Sequence, residues 1–137
     1  MNKKLLTLSL IAITMVAAIS LYGRRTHERS INRDVKTVEI YVKQFENAPP
    51  DANPYTQIAL RSFAKNYQKS INRIQKRLLS EIKNKNYRFS MVTVEKLKDF
   101  GDRLHKKGKN YKSLGDKAIS AAKALNTKLP MAKRLKF

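Results

Sequence analysis

The sequence predicts an all-α protein: an N-terminal membrane-spanning or signal helix followed by an antiparallel helical hairpin or three-helix bundle with coiled-coil-like seams. Three observations carry this expectation. The eighteen residues from Leu5 to Tyr22 contain no charge, Asn, Gln or Pro. Beyond them, apolar residues recur in alternating steps of three and four, the period of helix faces that pack on one another. Three of the four prolines, Pro49, Pro50 and Pro54, fall in one short stretch, so the remaining chain is free of strong helix breakers over long spans. Three segments result: an anchor or signal over 1–23, a membrane-proximal helix and turn over 24–50, and a basic helical hairpin with a basic C-terminal tail over 51–137.

The first element is apolar on every face. As a helix rising about 1.5 Å per residue it extends roughly 27 Å, close to the hydrocarbon thickness of a bilayer, with Lys4 and Arg24 at its edges. A cleaved signal peptide fits the same residues, with Lys3 and Lys4 as the basic start and Ala18-Ile19-Ser20 as a small-x-small cleavage site. The apolar block exceeds the usual signal core of about 7 to 15 residues, which favours the retained anchor. Basic residues after the span, Arg24, Arg25, Arg29, Arg33 and Lys36, outnumber Lys3 and Lys4 before it, and place the following domain on the cytoplasmic side. An exported signal-anchor would give the opposite orientation.

The second element, about 28–47, places Ile31, Val35, Val38, Val42 and Phe45 on one helical face. The proline cluster then breaks the chain, with Asn53 as the expected cap and Pro54 as the first helical residue of the next element. That helix, about 54–85, repeats Leu60, Ala64, Tyr67, Ile71, Ile74 and Leu78. The stretch 84–90 interrupts it, and Ser90 is the expected cap of a third helix.

In the third helix one seam reads Val94, Gly101, Gly108, Gly115, Ala122 and Leu129 at intervals of seven, beside Leu97, Leu104, Tyr111, Ala118 and Leu125. An interior Gly costs about 1 kcal/mol relative to Ala. Aligned glycines therefore imply close approach of a neighbour along Gly101, Gly108, Gly115 and Ala122, within one continuous helix. The alternative is a stop at Gly108, since Lys106-Lys107-Gly108 has the form of a helix C-terminus.

The chain carries 30 basic and 10 acidic residues in 137, a net charge of +20. Basic residues grow in excess along the chain, from six against four acids over 24–50 to nine against two over 51–90 and thirteen against four over 91–137. Arg61, Lys65, Lys69, Arg73 and Arg77 follow one another at intervals of four. Like charges so spaced repel by roughly 0.2 to 0.5 kcal/mol per pair, a cost that a polyanion would relieve. After Asp116 there is no acid, while Lys117, Lys123, Lys128, Lys133, Arg134 and Lys136 follow. These eleven residues are the candidate polyanion-binding set. An acidic protein, lipid headgroups and nucleic acid all fit as the anionic partner, and a solvated face that only confers solubility fits the same charges. No zinc-finger spacing, aromatic RNA-binding signature or helix-turn-helix singles out nucleic acid.

No Cys occurs, which excludes disulfides, thiolate metal sites and thiol catalysis. His27 and His105 stand alone in sequence without a metal-ligand array, and Lys107-Gly108-Lys109 lacks the preceding glycine of a phosphate loop. Acids have basic residues four positions away: Glu39 with Lys43, Asp99 with Arg103, Asp102 with Lys106. No enzyme activity, cofactor or metal is expected. The expected protein is a single-pass membrane component, structural or assembly-related, of a bacterial inner membrane or a viral membrane. A seam this narrow and this charged also implies self-association or a larger assembly. An exported helical regulator of lysis-control or inhibitor type is the alternative.

Overall fold

Helix α1, over 27–47, turns its Ile31, Val35, Val38, Val42 and Phe45 side inward, each no more than 5% exposed. It is the first element of a computed structural model that describes residues 27–137 of the chain. The expected membrane or signal helix at Leu5 to Tyr22 lies outside the described residues. Among the described residues no helix is long and apolar enough to cross a membrane. They form four α-helices and no strand, and Ile31–Phe137 is one compact unit, a helical bundle.

Helix α2 (Ile58–Lys83) follows the proline-rich loop. It starts four residues later than the prolines suggest. Asn53 does not cap it: Asn53 Oδ1 accepts the Tyr55 amide at 2.9 Å, and the Asn53 carbonyl accepts the Thr56 and Gln57 amides, so the side chain closes a turn inside the loop. Leu60, Ala64, Tyr67, Ile71, Ile74 and Leu78 are all buried, as their spacing requires.

The turn into α3 (Tyr87–Lys107) occupies 84–86. The Asn86 amide reaches the Glu81 carbonyl at 2.9 Å and the Lys85 amide the Ile82 carbonyl at 3.0 Å, with Lys85 at φ 63°. This is the Schellman pattern, with lysine at the left-handed position where glycine is usual. Ser90 is not the cap of α3. It sits one turn inside, and its hydroxyl donates to the Asn86 carbonyl at 2.8 Å.

The expected continuous third helix is broken. Gly108, at φ 140° and ψ −177°, ends α3, and a 3-10 turn over Lys109–Tyr111 leads into α4 (Lys112–Asn126). Only glycine adopts that backbone readily, so the chain reverses there. Gly108 therefore does not belong to the close-packing seam: a Cβ on it would meet nothing within 4 Å. Gly101 and Gly115, seven residues to either side, are brought face to face instead, and Ala122 is fully buried on the same helix.

The helices are tied in pairs. Phe45 of α1 meets Tyr67 of α2 edge to face at 5.8 Å and tilts against Tyr111 at 6.0 Å. Arg103 of α3 pairs with Glu46 of α1, and Lys107 Nζ donates to the carbonyls of Glu46 and Ala48. Tyr67 Oη donates to the Leu114 carbonyl of α4 at 2.7 Å. The seam residues of all four helices thus share one core, and each large one is worth about 1.5 to 3 kcal/mol of burial.

Candidate anion-binding surface

The outward side of α2 presents Arg61, Lys65 and Lys69, all exposed and without an ion-pair partner among the described residues. Helical geometry puts Lys76, seven residues after Lys69, on that side as well. It is exposed and has no ion-pair partner among the described residues, and a search for steps of four alone passes over it.

The other two members of the stripe do different work. Arg73 Nε stands 3.3 Å from Asp34 Oδ1 and Arg77 Nη1 2.9 Å from Asp34 Oδ2, so both guanidinium groups close on one carboxylate of α1. Asp34 is 7% exposed, and a carboxylate at that depth needs such partners. Arg73 also donates to Ser70 Oγ at 3.0 Å. These arginines fasten α1 to α2 and retain a combined excess of one positive charge.

The basic tail divides in the same way. Lys117, Lys123, Lys128 and Lys133 have no ion-pair partner among the described residues. Arg134, although exposed, folds back along the chain, donating to the Leu129 and Thr127 carbonyls at 3.0 Å each, where it satisfies acceptors just past the end of α4. Lys136 lines a groove with Glu95, Asp99 and Asp102 and so faces acids on α3. The tail is pinned there by Asn126, which both donates to the Leu135 carbonyl and accepts its amide at 2.9 Å.

The acids are unevenly placed. Helices α1 and α3 carry Glu28, Asp34, Glu39, Glu46, Glu95, Asp99 and Asp102, whereas α2 holds only Glu81, buried at 2%, and α4 only Asp116, paired with His105 at 2.8 Å. Helices α2 and α4 pack on each other through Tyr67 and Leu114, so their joint outer surface is almost free of exposed carboxylate. Asp99 pairs with Arg103 at 3.5 Å as expected, but Asp102 takes Lys98 at 2.8 Å, one turn before it, rather than Lys106.

The shifted acid–base groups are structural. Burial, with a smaller effect from Tyr55, pushes the Tyr67 phenol far above its usual range. Burial and then Asp51 push Tyr111 upward, and the Tyr111 hydroxyl is buried without a hydrogen-bond partner among the described residues. The hydrogen bond from Arg103 to Glu46 leads the causes that raise the Arg103 value and keep it charged. No group of three or more potential metal ligands occurs among the described residues. Compared with family models, curated proteins and solved structures, the chain matches none.

Proposed function

We propose that the protein is a non-enzymatic, membrane-tethered structural or assembly component whose basic helices dock on an anionic partner, within an oligomer or larger assembly. The observation that supports this most is the outward side of α2, where Arg61, Lys65, Lys69 and Lys76 stand with no exposed carboxylate on the same helix to balance them. Unpaired cations on one side of a folded unit repel each other and attract polyanions over a Debye length of about 8 Å. The tether is the apolar block from Leu5 to Tyr22. The buried titratable groups serve packing, which accords with a role in binding rather than chemistry.

The test is the salt dependence of polyanion binding, with duplex DNA and heparin as probes and the full chain held in detergent. Each phosphate contact contributes about 0.9 to the slope of log K against log salt. The triple substitution Lys65→Gln, Lys69→Gln, Lys76→Gln should lower the slope by roughly two to three while leaving helicity intact. An unchanged slope would show that this face is only solvated. The exported-regulator reading keeps one observation in its favour, the small-x-small site Ala18-Ile19-Ser20. The mass of the native protein decides between them: a chain that begins at Met1 supports the tether, and a shorter mature form supports export.

A further inference from the structure

We propose that one end of the bundle, built from Lys83–Arg88 and Lys128–Lys133, rests on anionic lipid headgroups with the Met131 side chain in the interface. The inference rests on the reading of the apolar block as a membrane tether, and it assigns a surface at the end of the bundle that adjoins the α2 stripe at Lys83.

The topology assembles this end. Asp34 of α1 meets Arg73 and Arg77 in the second half of α2, so the two helices run antiparallel and Ile31 lies where α2 terminates. The turn over 84–86 starts α3 at the same end. The contact of Gly101 with Gly115 makes α3 and α4 antiparallel, which brings the C-terminus of α4 and the 3-10 turn Met131–Lys133 there as well.

Two chemical features coincide on it. Lys83, Lys85, Arg88, Lys128 and Lys133 are exposed and carry no ion-pair partner among the described residues, and the segments 82–94 and 117–137 contain no acid at all. Among these cations Met131 is 82% exposed, and Val92 of the first turns of α3 is 47% exposed. A nucleic acid would use the cations but gain nothing from an exposed methionine. A bilayer interface uses both, since it accepts apolar side chains between anionic headgroups.

Chain length agrees. The apolar block ends at Tyr22, and the residues from there to His27, where α1 begins, span at most about 18 Å. The far end of the bundle makes the comparison. Ile58 there is 86% exposed, but α2 carries it about 38 Å from Lys83, and Glu46, Asp51 and Asp116 stand at that end, whereas the proposed docking end has Glu28 in the first turn of α1 and the buried Glu81. Exposed apolar surface alone does not single out the docking end; its combination with acid-free chain and the place where α1 begins does.

The absence of cysteine makes a clean test. Full-length Met131→Cys and Ile58→Cys proteins, each labelled with a fluorophore, are reconstituted in vesicles of phosphatidylcholine alone or mixed equally with phosphatidylglycerol. Quenching by headgroup nitroxides is then read. The Met131 label should be quenched in the anionic vesicles, less so in the neutral ones, and the Ile58 label in neither. Lys85→Gln, Lys128→Gln and Lys133→Gln should each lower the docked-to-undocked ratio roughly fivefold. Equal quenching of both labels, no quenching of the Met131 label in anionic vesicles, or its loss of quenching on addition of duplex DNA would each overturn the proposal. An alkaline wash of neutral vesicles tests the tether separately. A chain that washes off while its Met131 label is still quenched on anionic vesicles removes the tether and keeps the docking. A chain that stays with an unquenched label does the reverse.

Discussion

Gly101 and Gly115 face each other across α3 and α4, and a Cβ built on either would stand 2.9 Å from the other's carbonyl oxygen. Ile119 covers Gly101 and the His105 ring covers Gly115, so the absence of side chains is what lets the two backbones approach. Alanine at either position has to move backbone, not merely a flexible side-chain tip. Gly101→Ala and Gly115→Ala should each destabilise the protein by about 1 to 3 kcal/mol in urea unfolding. Gly108→Ala meets no neighbour, and its cost of about 1 to 2 kcal/mol comes only from the backbone at φ 140°. The double variant Gly101→Ala, Gly115→Ala should be less damaging than the sum, because the first substitution already separates the helices. Strict additivity would mean that the two glycines do not share a contact.

Tyr67 and Tyr111 are both fully buried, but only Tyr67 has a partner for its hydroxyl. Tyr67→Phe loses the bond to the Leu114 carbonyl and should cost about 0.5 to 1.5 kcal/mol, whereas Tyr111→Phe removes an unsatisfied group and should be neutral or stabilising by about 1 kcal/mol. Both phenols are shifted above the usual 10.0 by burial first. The unfolded chain therefore ionises its tyrosines at a lower pH than the native state does. Stability should hold level up to about pH 10 and fall above it, with a slope of up to about 1.4 kcal/mol per pH unit for each buried tyrosine. Each Phe variant should flatten that fall, and an unaltered alkaline profile in both would show that other groups drive it.

The seam positions were legible because helix periodicity needs no knowledge of the partner: Ile31, Tyr67, Leu97 and Leu125 are all fully buried. The break at Gly108 was not. A spacing of seven places glycines on one face of a straight helix, and the same spacing, folded at the central glycine, sets the outer two against each other. Only the Lys106-Lys107-Gly108 ending separated the two cases. Starts of helices were misplaced for a related reason. Asn53 and Ser90 have the chemistry of caps, but each spends its oxygen on a bond inside a turn or a neighbouring helical carbonyl. The turn at Lys85 bore no glycine to mark its left-handed residue. Within the basic stripe, nothing local distinguishes Arg73 and Arg77 from Lys65 and Lys69, because their carboxylate lies 39 and 43 residues away on α1.

That shared carboxylate gives the last prediction. Asp34 holds Arg73 and Arg77 against α1, so it both supports the fold and withdraws two guanidinium groups from solution. Asp34→Asn preserves the shape and removes the charge. With both arginines about half exposed, solvent screens the pair, and the stability lost should be modest, about 1 kcal/mol in urea unfolding. Binding to duplex DNA should move the opposite way. Two arginines become available and the local charge rises by one, so affinity at low salt should increase and the salt slope should steepen by roughly one to two. A protein whose basic face serves only solubility would lose stability without gaining affinity. If affinity falls together with stability, the α1–α2 clamp is itself part of what the polyanion needs, and the binding face extends across both helices.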